Sequence, residues 1–370
     1  MRSFVIHYKF FIYKPLSKPQ TFETDLSFNL TLEHASLSMH KFYVGGQKMT
    51  VDRLKTLVND DFNAVNALII DKIQSQIGLI DDLAHHIVQS GGKRLRPLLV
   101  LLASHACGYQ GGDHIVLAAM IEFFHTATLL HDDVVDESTL RRGRETANEI
   151  WGSKASILVG DYLFTQSVQL MVNVNHPQIL HLLADTSHQI SCGEVKQLAN
   201  RHNYALSIED YFDVIRAKTA LLFAASAAIA PLLADAGEDV KNSLYAYGLH
   251  LGNAFQLIDD ALDYCSDAKT IGKNIGDDLA DGKATLPLIH AMKEGSKVQQ
   301  ALIQESLKTG NLQNLDDILT VIESTKSIQF TKDYAAEEVD RALTALHILP
   351  ASIYKDALTE LALFALKRDH

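Results

Sequence analysis

Several things are scarce in this chain. Cysteine is the first: Cys107, Cys192 and Cys265 are the only three in 370 residues, and no two form a CxxC pair. That argues against a disulfide scaffold and fits ordinary reduced thiols in a cytoplasmic protein. Proline is also rare, at seven residues, and glycine-rich runs are few, as expected of a mostly helical chain. Basic charge is outweighed: 33 Lys and Arg face 45 Asp and Glu, for a net charge of −12. Such a chain repels nucleic-acid phosphate, so any basic patch needs a local explanation. Alternating runs closed by Asn-Gly or Asp-Gly turns are missing, so no strand pair is expected. No uncharged run reaches the roughly 18–20 apolar residues of a membrane span. The nearest, 219–234, is short, alanine-rich and interrupted by Pro231. Apolar on all sides, it reads as the buried central helix of a bundle, with at most peripheral membrane contact for the protein.

What is present is helical periodicity and 47% hydrophobic residues, ample for a large core. Apolar residues at helical spacing predict helices over 51–83, 97–106, 115–136, 154–171, 181–199, 207–234 and 240–265. Further helices are expected over 285–292, 298–309, 312–325, 327–346 and 353–368. Residues 143–148 and 266–283 read as loops. Ser207, three residues before Asp210, is the expected cap of its helix. The fold class is all-α: a single large helical bundle over 49–370. Residues 1–48 lack this periodicity. They read as a disordered N-terminal extension, or as a start placed too far upstream, with Met39 and Met49 as alternative initiators.

Two acidic clusters carry the chemistry. Asp132, Asp133 and Asp136 close one predicted helix. Asp259, Asp260 and Asp263 repeat the same spacing inside an apolar stretch, Phe255-Gln256-Leu257-Ile258. Residues four apart share a helix face, so each cluster brings like charges together, which is unfavourable without a cation. Negative charge at a helix C-terminus also opposes the helix dipole. All-oxygen ligation suits Mg²⁺, which completes its shell with water and substrate phosphate. A solvated acidic helix end would look similar at Asp132, but not in the apolar setting of Asp259.

Basic groups supply candidate phosphate grips. Lys93 and Arg96 flank a helix start behind Gly91-Gly92, where free backbone N–H groups favour an anion. Arg141 and Arg142 follow the first cluster, and their guanidinium forks match phosphate oxygens. Lys218 and Thr219 lead into the apolar helix, and His125 lies seven residues before Asp132. Lys273, Asp277, Asp278 and Lys283 alternate in the loop after the second cluster and suggest a lid over phosphate.

These motifs occur in a fixed order. Gly91-Gly92-Lys93-Arg94-Leu95-Arg96-Pro97 comes first, then His125 through Asp136, Arg141-Arg142-Gly143, Gly160-Asp161 and Lys218-Thr219. Phe255 through Asp263 and Gly272-Lys273-Asn274 complete the series. The combination resembles the trans-isoprenyl diphosphate synthases over essentially all of 49–370, and most of all the bacterial octaprenyl diphosphate synthases. The resemblance implies the isoprenoid synthase fold, a helical bundle around a central cavity, and a homodimer. It implies elongation of an allylic diphosphate, such as farnesyl diphosphate, by isopentenyl diphosphate, to a long all-trans chain of the kind used in quinone side chains. Octaprenyl is the length favoured, with geranylgeranyl to nonaprenyl as alternatives. The six aspartates would serve the Mg²⁺ ions that bridge the allylic diphosphate, with Asp132, Asp136 and Asp259 as direct ligands. Lys93, Arg96, His125 and Arg142 would bind isopentenyl diphosphate. Arg141, Lys218, Thr219, Gln256 and Lys273 would bind the allylic diphosphate.

The residue types suit that chemistry. Breaking an allylic C–O bond loads charge onto diphosphate, which cations stabilise where it develops. The double bond of isopentenyl diphosphate, held close, attacks the allylic cation, and a proton is then lost, with the departing diphosphate as its acceptor. No serine or cysteine nucleophile is needed. One helical turn, about 5.4 Å, approximates an isoprene unit. Chain length should therefore be set on the helix behind Asp132, at Thr128, Ala127 and Phe124, then Ile121 and Met120. Small Ala127 and Thr128 leave the first turn open, and Phe164 and Val168 are candidates for the opposite wall. A terpene cyclase would not need the Lys93/Arg96 clamp, and a regulatory subunit would not keep six aspartates. The intact mass of the native protein should place its N-terminus near Met49; a terminus near Met1 would refute the downstream start.

Overall fold

Helices form almost everywhere the apolar spacing recurs. The computed structural model describes residues 50–89, 92–141, 143–265 and 275–368. The extension expected at 1–48 lies outside the described residues, as do Gly91, Arg142, Gly272, Lys273 and Asn274.

The predicted helix over 51–83 is instead three: α1 (Val51–Thr56), α2 (Asn59–Ile73) and α3 (Gly78–Gln89). The second break has a local cause. Ser75 N donates to Asp81 Oδ1 at 2.7 Å, and Ile77 N donates to Ser75 Oγ at 3.0 Å. Side chains thus satisfy backbone groups that a continuous helix would have paired. Then come α4 (Leu95–Ala106) and α5 (Asp113–Val135), which ends on the first acidic cluster. The absence of strands needs one correction. Leu140–Arg141 (β1) and Arg144–Glu145 (β2) form a two-residue antiparallel hairpin, with Arg141 opposite Arg144. Gly143, at φ +74°, sits in its turn, a geometry that suits glycine. The expected loop at 143–148 therefore holds β2 and the start of α6 (Ala147–Trp151).

Long helices α7 (Ser153–Val174) and α8 (Pro177–Ala199) follow. The predicted rod over 207–234 is continuous but not uniform. It runs as α9 (Ile208–Ile215), a π-helical turn at Arg216–Ala220, and α10 (Leu221–Leu233). Ser207 caps it as expected, its hydroxyl accepting from Asp210 N at 3.0 Å. Next is α11 (Glu238–Leu262), which ends on the second cluster. The chain closes with α12 (Asp277–Ala280), α13 (Leu286–Glu294), α14 (Lys297–Thr309), α15 (Leu315–Ser324), α16 (Ser327–Ala345) and α17 (Ile353–Leu366).

Helix α10 is the centre of the bundle, as its composition predicts: every residue from Leu221 to Leu232 is buried. By length and composition alone, α5 and the Ile208–Leu233 rod could cross a membrane, though each carries polar residues that break its apolar run. Both are mostly buried inside the bundle, which any core helix of this length would be. Helix α11 lies along α10 at very close range. A Cβ on Gly248 would sit 2.3 Å from Phe223 O, and one on Gly252 would sit 2.5 Å from Ala220 Cα. Tyr247, fully buried beside this crossing, donates its hydroxyl to Leu358 O at 2.7 Å and ties α11 to α17.

The close crossing sets where α11 delivers its aspartates. Gly248→Val must push two backbones apart, at a cost of roughly 1–3 kcal/mol. Urea unfolding should show the midpoint falling, with Gly248→Ala intermediate; an unchanged midpoint for both would contradict the crossing.

Candidate active site

The two clusters sit at the C-terminal ends of α5 and α11, and the π-turn links them. Lys218, in that turn, sends Nζ to 3.5 Å from Asp132 Oδ2 and 3.0 Å from Glu194 Oε2. Its neighbour Thr219 donates to Gln256 Oε1 at 2.7 Å. The Gln256 amide donates in turn to Asp260 Oδ1, also at 2.7 Å. A π-turn rotates consecutive side chains differently from an α-helix and often marks a functional site. Here it lets residues 218 and 219 address different clusters.

Within the first cluster the three carboxylates have different surroundings. Asp133 is buried and gripped by Arg141, whose Nε and Nη2 both donate to Oδ1, at 2.8 and 2.6 Å. Asp136 receives Arg201 Nη2 at 3.0 Å and Lys283 Nζ at 3.2 Å. Burial pushes the Asp132 carboxyl above its usual range, and Asp136 adds to that, although Lys218 pulls the other way. Burial likewise raises Glu194, with Asp132 contributing. Lys218 is the counterpart: burial alone would lower it, but Asp132 and Glu194 outweigh that and raise it.

The second cluster is similarly divided. Asp260 is buried and accepts from Tyr211 at 2.5 Å as well as from Gln256. Burial, then the charge of Asp278, pushes its carboxyl up to about 8. Asp263 accepts from Asp278 N at 3.2 Å, which pins the start of α12. Asp259 is the most open of the three and pairs with Arg368 Nη1 at 2.7 Å. The Arg368 guanidinium also stacks on Phe255, 3.8 Å from its ring centroid.

Of the predicted basic clamp, Arg96 and His125 meet, and Arg142 lies outside the described residues. Arg96, at the start of α4, places Nη1 3.2 Å from His125 Nε2 on α5, and lies over the Phe223 ring at 4.3 Å. Lys93 lies over Phe364 of α17 at 5.1 Å. Arg94 adopts a left-handed backbone, φ 48°, and its half-buried side chain donates to Asn66 and lies near Glu122. That twist separates Lys93 and Arg96 from the intervening arginine.

Behind the first cluster, α5 offers the expected stripe. Met120, Ile121 and Phe124 line an apolar slot with Phe164, Val168 and Leu222. Phe164 and Val168, candidates in the sequence, face α5 across this slot. The Phe124 and Phe164 rings stand 5.8 Å apart and pinch the slot. Ala127, one turn nearer the aspartates, is buried.

Several residues at this site escaped sequence reasoning. Glu194, Arg201, Tyr211 and Arg368 all touch a predicted aspartate or its partner. Glu194, Arg201 and Tyr211 lie in no local motif. Arg368 belongs to the C-terminal run 365–370, which resembles that of octaprenyl diphosphate synthases, but its contact with Asp259 comes only from tertiary packing. Lys283 was visible as part of a charged loop, but not as the partner of Asp136.

Among the described residues, the ligand atoms the two clusters themselves offer are carboxylate oxygens, and lysine and arginine side chains pair with them. The set fits hard divalent cations such as Mg²⁺ or Ca²⁺, and not a zinc or iron–sulfur centre.

Comparison with known proteins agrees with this geometry. Residues 78–325 match the polyprenyl synthetase family. The chain is 43% identical over 322 residues to an octaprenyl diphosphate synthase of Escherichia coli, covering 87% of this chain and 100% of that protein. It is also 43% identical over 312 residues to an all-trans-nonaprenyl-diphosphate synthase (geranyl-diphosphate specific) of Rhodobacter capsulatus, covering 84% and 96%. A polyprenyl synthase from Caulobacter crescentus, solved with calcium and isoprenyl diphosphate, superposes with a TM-score of 0.83 at 43% identity. That match covers 88% of this chain and 100% of the other. The chain belongs to the polyprenyl synthetase family and is a trans-polyprenyl diphosphate synthase.

Proposed function

We propose that the protein extends farnesyl diphosphate with isopentenyl diphosphate to all-trans octaprenyl diphosphate, a precursor of a quinone side chain. The observation that carries the reading is the meeting of two aspartate clusters, through Lys218 and Thr219, beside the Arg96–His125 pair. That arrangement has room for two diphosphates with different grips. Octaprenyl is favoured by likeness to the Escherichia coli enzyme; equal identity to the nonaprenyl enzyme supports the next length up.

Mg²⁺ is the proposed metal, held by Asp132, Asp136 and Asp259. When bound, it neutralises charge that develops on the departing diphosphate. The side chains have separate tasks. Lys218 and Thr219, with Gln256 and Lys273, hold the allylic diphosphate. Lys93, Arg96, His125 and Arg142 hold isopentenyl diphosphate against it, so that the reacting carbons are oriented before ionisation. Asp133 and Asp260, both buried and fully engaged, act at one remove: Asp133 aims Arg141, and Asp260 anchors Gln256. The apolar slot excludes water that would quench an allylic cation.

The growing chain runs from the aspartates along α5. It must part Phe124 from Phe164, because the slot as it stands holds about 20 Å³, room for roughly one water. We also propose a homodimer, supported by large apolar side chains exposed on α7: Ile157, Leu158, Phe164 and Val172.

Incubation of the purified protein with farnesyl diphosphate, isopentenyl diphosphate and Mg²⁺ should give a ladder ending at the octaprenyl product on reversed-phase chromatography. No elongation would refute the reading, and a nonaprenyl endpoint would correct its length. Ala127→Phe should cut the product to farnesyl or geranylgeranyl length; an unchanged ladder would remove α5 from the wall. Asp132→Asn should lower kcat by at least about 10²-fold, as losing one transition-state charge contact does, while the urea midpoint stays within error or rises. A near-normal kcat would rule out direct ligation by Asp132.

A further inference from the structure

A second group of metal-ligating side chains lies at the other end of α5. Asp61 in the first turn of α2, His105 in the last turn of α4 and His114 in the first turn of α5 converge there. His105 Nε2 is 2.6 Å and His114 Nε2 3.1 Å from the same oxygen, Asp61 Oδ2. One ligand atom from each residue lies within 4.8 Å of the others. We propose that Asp61, His105 and His114 form a binding site for a divalent transition-metal ion, with Zn²⁺ as the best-fitting cation.

Ligand chemistry carries the choice of ion. Two imidazoles and one carboxylate suit a borderline cation, and three protein ligands leave a position for water. Mg²⁺, which prefers oxygen alone, is a poor match. Tetrahedral zinc at 2.0–2.2 Å from each ligand implies ligand atoms roughly 3.3 Å apart. The observed 2.6 and 3.1 Å to Asp61 fall on the lower side of that spacing, and all three ligand atoms lie within 4.8 Å, so small side-chain shifts open room for the ion.

The rings are held in place before any ion arrives. His105 stacks on Tyr354 of α17, with centroids 4.8 Å apart at 17°. His114 stands edge-on to both His105 and Tyr109. It is about 95% buried, yet its Nδ1 finds no hydrogen-bond partner among the described residues. A buried imidazole that makes its one polar contact into the cluster is poorly explained by ordinary core packing.

This site is separate from the aspartate clusters. His114 and Asp132 are 18 residues apart on one helix, about 27 Å along its axis. An ion there would not touch substrate. It would staple α2, α4 and α5 together and, through Tyr354, steady α17, whose chain continues to Arg368 at the active site.

The test is Zn²⁺ titration of the full-length protein in excess Mg²⁺, which occupies carboxylate-only sites. Wild type should bind one Zn²⁺ tightly and show a higher Tm with Zn²⁺ than with Mg²⁺ alone. His105→Gln and Asp61→Asn should each weaken that binding by at least about ten-fold and abolish the Tm increment. Both should keep Mg²⁺-dependent elongation, which also reports that they fold. Failure of Zn²⁺ to raise the wild-type Tm would overturn the proposal, and so would equal Zn²⁺ affinity in the variants. The wild-type arm decides the matter even if a variant folds poorly.

Discussion

Everything at the catalytic end of this protein follows from the cost of gathering six carboxylates. Two unit charges 4 Å apart interact by about 4 kcal/mol at an effective dielectric of 20, and here several like pairs are crowded and partly buried. The chain offsets this with cations drawn from five separate places. Arg141 comes from the hairpin, Arg201 from the end of α8, Lys218 from the π-turn, Lys283 from the loop before α13 and Arg368 from beyond α17. The bundle can be understood as the scaffold that brings those five to one end. Divalent cations and diphosphate then enter a site already balanced for charge exchange.

The carboxylates fall into two kinds. Asp133 and Asp260 are buried and bonded to protein partners, whereas Asp132, Asp136 and Asp259 are less buried and pair with lysine or arginine side chains. Asp133 is a buried carboxylate paired with Arg141, and losing one partner of such a pair costs roughly 3–5 kcal/mol, whereas Asp260 is held by hydrogen bonds from Tyr211 and Gln256. They serve as fixed supports. The others are the aspartates proposed to exchange a lysine or arginine for a metal ion. Five similar aspartates thus divide into buried supports and carboxylates paired with lysine or arginine, and Asp263 sides with the supports through its bond from Asp278 N.

Helix crossings decide the positions. Gly248 and Gly252 let α11 approach α10 at backbone contact, and the π-turn rotates Lys218 and Thr219 toward opposite clusters. Neither effect alters the helical period enough to be visible as a pattern. The sequence predicts one rod over 207–234, and one rod is found, but the extra residue in its middle gives the rod its use. The three-way break of 51–83 escaped for a similar reason. Apolar spacing continued across it, while Ser75 and Asp81 quietly bonded the backbone.

The all-α class, most helix limits, the buried central helix and the presence of acidic clusters beside basic grips are legible in the sequence alone. These are local or periodic properties, and a helix imposes its period on neighbours three and four residues apart. Tertiary structure alone decided which carboxylates are buried and which cation meets each one. It also decided that Glu194 and Arg368 belong to the site, and that Asp61, His105 and His114 share one corner. Those partners lie tens to hundreds of residues apart, and no helical period relates them. Only the packing angles of α2, α4, α5, α10, α11 and α17 do.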